Sequence, residues 1–336
     1  MDYLEGIGGT SLLKSKKMTG MIFRKNPLVF ILFLSTFLWT GCNRSKNNVP
    51  DSMLSGKAEI AADEALMPLL NAELDVFQSI YKYSSVECKF LSEYEAINLL
   101  LQEKIRLAIV GRPLNQKEID YFKSRDIVPE SIPLAYDAIA LIVPTENKIL
   151  TLTTEQIRLI LSGAISDWNQ LENSGKSGDI QLIFDAKSSG VIRFLDEKLK
   201  LNNKISGNVK FAGSSKILMD FVAESPNGIG FVGYNWLSEN ESLKVQETLK
   251  KIHLIAISSS SNVGDEKSFI PSVGNIYNNA YPLTRKVYAL YTDPSASLAR
   301  GFLAHLTSER GQKIIYRCGL KPESDFQRLI KIKTDF

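Results

Sequence analysis

The sequence predicts an α/β protein of two lobes, each a mostly parallel sheet flanked by helices, the lobes joined by two hinge strands. Three observations lead there. From Ala58 onward strand and helix patterns alternate. The alternation restarts after an apolar stretch, Ile132 to Val143, that is long for a single strand. Finally, the 295 residues from Cys42 to Phe336 carry ordinary apolar content, enough for two cores at that length.

The elements follow in order. Glu59 to Ala62 reads as a short strand, and Leu66, Leu69, Leu70, Leu74 and Phe77 then fall on one helical face. Val86 to Leu91 is a second strand. Ser92 with Glu95 forms a capping box that opens a helix through Leu101, Arg106 to Val110 is a third strand, and Asn115 with Glu118 caps the next helix. The stretch Ile132 to Val143 is read as a strand crossing between lobes. Beyond it, Thr153 with Gln156 caps a helix through Leu161, Gln181 to Phe184 is a strand, and Ser189 opens a helix. Val209 to Ala212 and Ile229 to Val232 are further strands. Arg285 to Tyr291 is the strand that returns to the first lobe, followed by Asp293-Pro294 as N-cap and first helical residue and by two helices to Arg317. Ser258 to Lys267 is a polar loop, and the Lys-rich tail after Lys321 is a solvated end.

Ahead of all this, Arg24-Lys25, the apolar run Pro27 to Trp39 and Thr40-Gly41-Cys42 read as a bacterial lipoprotein signal. The run is shorter than the ~20 residues of a spanning helix, and Cys42 supplies a thiol for lipid attachment. A single anchoring helix is the alternative, and Met18 or Met21 is an alternative start. Residues 1–41 are thus a signal peptide, 42–57 a lipidated cysteine and flexible stalk, 58–138 lobe 1, 139–285 lobe 2, and 286–336 a return to lobe 1. The expected location is periplasm-facing, lipid-anchored to a bacterial membrane.

Residues 1–41 hold five of the 40 basic residues and two of the 37 acidic ones, so the mature chain is formally neutral. No clustered positive face remains to neutralise a phosphate backbone, and nucleic acid is not an expected partner. His253 and His305 lack a neighbouring ligand at metal spacing and are read as structural. Gly175-Lys176-Ser177 lacks the first glycine of a phosphate loop, and Gly228-Ile229-Gly230 lies inside an apolar strand. No nucleophile and base pair can be named, so no cofactor and no enzyme activity are expected. Beyond Cys42 only Cys88 and Cys318 remain, and both a bonded pair and two lone thiols stay open.

Seven segments in this order resemble the phosphate-binding proteins of ABC uptake systems: Ala61 to Leu70, Ala108 to Leu114, Ile132 to Val143, Ile157 to Gly163 with Trp168, Ser188-Ser189-Gly190, Pro226 to Phe231, and Tyr281 to Arg285. The resemblance spans Ala58 to Pro322. It implies the type II periplasmic binding protein fold, a hinge that closes two lobes over a ligand, and a monomer. Its partners would be phosphate or a similar oxyanion, an ABC permease in the inner membrane, and the membrane itself through the lipid anchor.

Physical chemistry places the ligand at strand-to-helix junctions, where free amides and the helix dipole favour an anion. Three junctions qualify: Asp63-Glu64-Ala65, Gly111-Arg112 and Ser188-Ser189-Gly190. Arg112, Ser189 and Gly190 match the family directly. The alternatives are plain N-capping for the serines and a surface ion pair for Arg112. The family often carries arginine where Asp185 stands and threonine where Val191 stands, and Arg193, one helical turn deeper, compensates. Asp63, Glu64 and Asp185 together would repel an anion. Facing Arg112 and Arg193 they would form an ion-paired closed cleft, or hold a zwitterionic or cationic ligand. The rival reading is a binding-fold lipoprotein without a transport role, acting as a sensory or scaffolding partner.

Overall fold

The computed structural model describes residues 51–172, 175–238, 243–259 and 267–324. The leader, Cys42, most of the expected stalk, most of the Ser258 to Lys267 loop and the end of the tail lie outside the described residues.

The first lobe begins with β1 (Gly56–Asp63), a 3₁₀ turn (Glu64–Leu66) and α1 (Met67–Ile80), whose buried face carries Leu69, Leu70, Leu74 and Phe77. Then come β2 (Ser84–Leu91), α2 (Glu93–Leu101), β3 (Leu107–Val110) and α3 (Gln116–Lys123). The Ser92/Glu95 and Asn115/Glu118 capping boxes are both fully formed. β1 pairs with β2 in parallel from Gly56↔Ser84 to Asp63↔Leu91, and with β3 in parallel on its other edge. Right-handed crossover helices cover such a sheet on both faces, which is why Leu107 to Val110 is apolar throughout and wholly buried.

The long strand β4 (Glu130–Pro144) changes partner halfway. Its first part, Glu130 to Ala138, pairs antiparallel with β11 (Thr284–Tyr291). Its second, Ile139 to Ile142, pairs antiparallel with β8 (Gly228–Gly233). The strands therefore follow one path, β2-β1-β3-β11-β4-β8, then β6 (Gln181–Phe184) and β7 (Asn208–Phe211), with β4 shared by two halves. The second half comprises β5 (Thr151–Thr153), α4 (Thr154–Leu161), β6 (Gln181–Phe184), α5 (Gly190–Leu199), β7 (Asn208–Phe211) and α6 (Ser215–Glu224). After β8 follow α7 (Leu243–Leu249), β9 (Ile252–Leu254), β10 (Ala256–Ser258) and α8 (Val273–Tyr277). β6 is parallel to both β7 and β8. The mixed α/β, two-lobed architecture is the one the sequence predicts.

Each half has its own core. In the second, Trp168, Phe184, Phe231 and Leu195 are buried together, with the Phe184 and Phe231 rings stacked at 4.8 Å. In the first, α1 meets α9 (Leu298–Thr307) through Phe77 and Phe302, and α10 (Glu309–Arg317) leads to β12 (Lys321–Pro322) on β4. Gly301 of α9 lies directly against the Met53 carbonyl, so residues just ahead of β1 already pack on the domain.

One local reading changes. Asp293-Pro294 does not start a helix. The Asp293 carboxylate instead accepts from the amide and hydroxyl of Ser295, a local turn that competes with helix entry, and Ser297 caps α9. His305 is buried in α9 with Nε2 3.0 Å from Oε2 of the buried Glu73. Burial pushes that carboxyl up to about 7, with His305 acting against it. His253 Nε2 lies 3.0 Å from the Ile149 carbonyl. Cys88 and Cys318 are free thiols, pushed up by burial to about 12 and about 11.

Candidate functional site

The carboxyl ends of β1, β2, β3 and β6 converge where the two halves meet, the edge at which an α/β sheet exposes the amides of the following helices. Each strand ends in or runs into polar residues there: Asp63 closes β1, and Ser92-Glu93, Gly111-Arg112 and Asp185 follow β2, β3 and β6. The seam is filled by side chains reaching across it.

Glu93, the first residue of α2, is 4% exposed. Its Oε2 accepts from the Gly111 amide at 3.0 Å and from Arg193 Nη2 at 3.1 Å, while Arg193 Nε donates to Oε1. Arg193 comes from the second turn of α5 in the other lobe, and its Nη2 also donates to the Gly111 carbonyl at 3.1 Å. The start of α5 is capped by Ser189, whose hydroxyl accepts from the Val191 amide at 3.1 Å. A Cβ at Gly190 would lie 2.5 Å from Asp63 Oδ2 and 2.9 Å from Glu93 Oε2. Only a glycine lets these two carboxylates approach the helix N-terminus so closely.

Behind them lies a buried triad on the hinge. Arg285 of β11, 1% exposed, stands opposite Asp137 of β4 in the ladder. It donates through Nε to Asp137 at 3.2 Å and through Nη1 to Asp63 at 3.4 Å, and both acids are fully buried. Burial pushes the Asp63 carboxyl up to about 7. Arg285 opposes the rise, while Glu93 and Asp185 add to it. Burial also raises Asp137 against Arg285, and Asp185 against the Ser189 hydroxyl and the Ala186 amide.

Glu64 reaches from lobe 1 to the start of α6, where its carboxylate accepts from the Ser215 amide at 3.0 Å and the Ser215 hydroxyl at 2.6 Å. Its carboxyl is raised by burial, with those two bonds opposing. The two lobe 2 helices that point at the seam, α5 and α6, therefore each receive lobe 1 carboxylates at their positive ends.

Of the residues singled out from sequence, Asp63, Glu64, Ser189, Gly190 and Arg193 meet at this seam. Ala65 contributes its amide to Asp63 Oδ1 and its carbonyl to Asn235 across the seam. Ser188 hydrogen-bonds the Ser92 hydroxyl of the other lobe at 2.9 Å. Arg112 stands at the rim. Its fork is taken by Glu118 at 2.8 and 2.7 Å, and its Nε lies 3.8 Å from Glu93. Glu93, Asp137 and Arg285 were not anticipated. Lone charges inside apolar strands signalled the latter two. Glu93 looked like an ordinary acidic first-turn residue. Of the three acids at these junctions Asp63 alone meets a cation, the unanticipated Arg285; Glu64 is held by Ser215, and Arg193 pairs with Glu93 and Glu197.

Beside the seam opens a cleft of about 760 Å³ lined by Glu93, Tyr94, Arg112, Lys187, Ile192 and Phe211, among others. Among the described residues no three His, Cys, Asp or Glu side chains are grouped as metal ligands. Chemically, the Gly111 amide and the Arg193 fork beside the α5 N-terminus make a receptor for a planar or tetrahedral oxyanion, and here the amide and the fork hold the Glu93 carboxylate.

A family model described as "PBP superfamily domain" matches residues 49–310. Protein SphX of Synechococcus elongatus is 23% identical over 250 residues, covering 72% of this chain and 71% of its own. Phosphate-binding protein PstS of Pseudomonas aeruginosa is 24% identical over 286 residues, covering 81% and 84% respectively. Among solved structures, a putative phosphate ABC transporter substrate-binding protein with bound phosphate from Clostridium perfringens superposes with a TM-score of 0.66. It is 19% identical, over 80% of this chain and 100% of that one.

Proposed function

The chain belongs to the PBP superfamily, and from that premise we propose that it is an extracytoplasmic solute-binding protein. It captures phosphate, or a closely related small oxyanion, for an ABC uptake permease. It binds its ligand and does not transform it. The leader and Cys42 would tether it by lipid to a bacterial membrane, facing the periplasm, with residues near 50 linking anchor and domain. Relatives such as PstS and the phosphate-loaded Clostridium protein bear phosphate in their names, which supports that choice of ligand.

The observation that carries the reading is the donor set. The Gly111 amide and Arg193 already grip both oxygens of a carboxylate at the positive end of α5, 3.0 to 3.1 Å from Oε2. A phosphate oxygen asks for the same donors. Asp63, its carboxyl pushed up by burial to about 7, stands beside the α5 N-terminus, where its ionised form can accept the proton of hydrogen phosphate. Fully ionised sulfate has no proton to offer and meets only repulsion from the carboxylate form. Ser188 and Arg112 would guard the mouth.

Calorimetry of the purified protein at pH 7 tests this. Phosphate and arsenate should bind at one site per chain with sulfate excluded, whereas sulfate binding as tightly as phosphate would remove Asp63 from its role. The second reading, a sensory or scaffolding lipoprotein without transport, is favoured by one feature: Glu93 fills the anion position. It stands if phosphate, arsenate, sulfate and molybdate give neither heat nor thermal shift, in wild type and in Glu93 variants alike.

A further inference from the structure

Building on the oxyanion-binding reading above, we propose that Glu93 is a resident competitor for the site, a tethered carboxylate that holds the lobes shut and that any external oxyanion must displace. Helix capping does not explain its position. Ser92 and Glu95 already form the complete capping box of α2, with the Glu95 carboxylate accepting from the Ser92 amide at 3.1 Å and from its hydroxyl at 2.7 Å. An acidic residue in a first helical turn ordinarily sits in solvent, where the dipole favours it at little cost. Glu93 is instead 4% exposed and bonded to both lobes, through Gly111 of lobe 1 and Arg193 of lobe 2.

Occupation is exclusive. Glu93 Oε2 would lie only 2.9 Å from a Cβ at Gly190, too close to the start of α5 for a second anion to dock beside it. Asp63 and Asp185 are close enough to raise the charge cost of adding a second anion beside it. An exit exists, because Glu93 lines the 760 Å³ cleft and Arg112 Nε waits 3.8 Å from Oε1. The swing from Arg193 to Arg112 would exchange one guanidinium for another while vacating the amides. The ligand-free protein is therefore held closed, and its apparent affinity is lowered by the fraction of molecules in which Glu93 is in place.

The test compares wild type with Glu93→Ala and the near-isosteric Glu93→Gln, each checked for folding by circular dichroism. Inorganic phosphate is titrated by calorimetry, and small-angle scattering reads the ligand-free radius of gyration. Glu93→Ala should bind phosphate about ten- to hundredfold more tightly than wild type, the range expected for releasing charge-assisted hydrogen bonds, with Glu93→Gln in between. Its ligand-free radius should also exceed that of wild type. Unchanged or weaker phosphate affinity in both variants overturns the proposal. If no variant binds phosphate at all, the functional reading fails by itself and the scattering decides this one. A larger radius in Glu93→Ala then upholds the latch, and an equal radius overturns it.

Discussion

Arg285→Met isolates the charge triad on the hinge. The guanidinium is 1% exposed and contacts two fully buried acids, with distances of 3.2 Å to Asp137 and 3.4 Å to Asp63. Methionine keeps most of the stem and removes the charge, so packing changes little and the two carboxyls lose their only shared cation. Stranding one partner of a buried ion pair costs about 3–5 kcal/mol. Both acids should bear that at pH 8, because Asp63, pushed up by burial to about 7, is then ionised as well. The expected loss is about 3–5 kcal/mol at pH 8, read as a drop in urea midpoint at unchanged slope. Without Arg285 the folded-state pKa of both acids rises further above the unfolded value near 3.8. Such groups stabilise fully below the unfolded value and lose that contribution as pH climbs through the folded one, at up to about 1.4 kcal/mol per pH unit for each proton. The deficit should therefore shrink markedly at pH 5, and adding Asp137→Asn should restore about half of it at pH 8. A deficit below about 1 kcal/mol, or one that is the same at pH 5 and pH 8, would refute the reasoning.

Further outcomes are expected elsewhere. Glu73→Gln should remove a pH-dependent loss: the wild-type carboxyl titrates near 7 in the fold against 4.5 unfolded, so stability falls as pH rises through that window. The variant should gain about 3 kcal/mol relative to wild type between pH 4.5 and pH 8 in denaturant titrations, and parallel curves would count against it. Gly190→Ala places a methyl against the Asp63 and Glu93 carboxylates; thermal melts should show about 1–3 kcal/mol of destabilisation, and phosphate binding should weaken at least tenfold. Ser215→Ala leaves Glu64 with only the amide of Ser215; lobe closure should loosen, seen as a larger radius of gyration, with about 1 kcal/mol lost.

Much of the fold was legible because it is local. Capping boxes at Ser92, Asn115 and Thr153 need only residues three apart, and all three form. The β4 strand announced itself by an apolar run too long for one sheet partner, and it pairs with β11 and β12 along its first part and with β8 and β9 along its second. The Asp293-Pro294 pair misled because the same carboxylate that caps a helix also closes a turn, and Ser295 gave it that second choice. At the site, the junctions at Asp63, Gly111 and Ser189 followed from strand ends and turn chemistry. The pairings across the seam did not. Glu93 meets an arginine one hundred residues away, and nothing near Glu93 distinguishes it from Glu95, whose carboxylate stays home on Ser92. Arg112 takes the ion pair that the sequence offered as its alternative, and its partner is Glu118, which also closes the capping box at Asn115.

The account rests on an oxyanion held by main-chain amides at the lobe seam with Arg193 closing over it. Amide NMR of the ¹⁵N-labelled protein during a phosphate titration measures that directly, in wild type and in Glu93→Ala. The Gly111, Gly190 and Val191 signals should move together and saturate at one phosphate per chain, with the Arg193 side-chain Nε–H shifting in step. Saturating shifts confined to residues away from those junctions, or none in either protein, would contradict it.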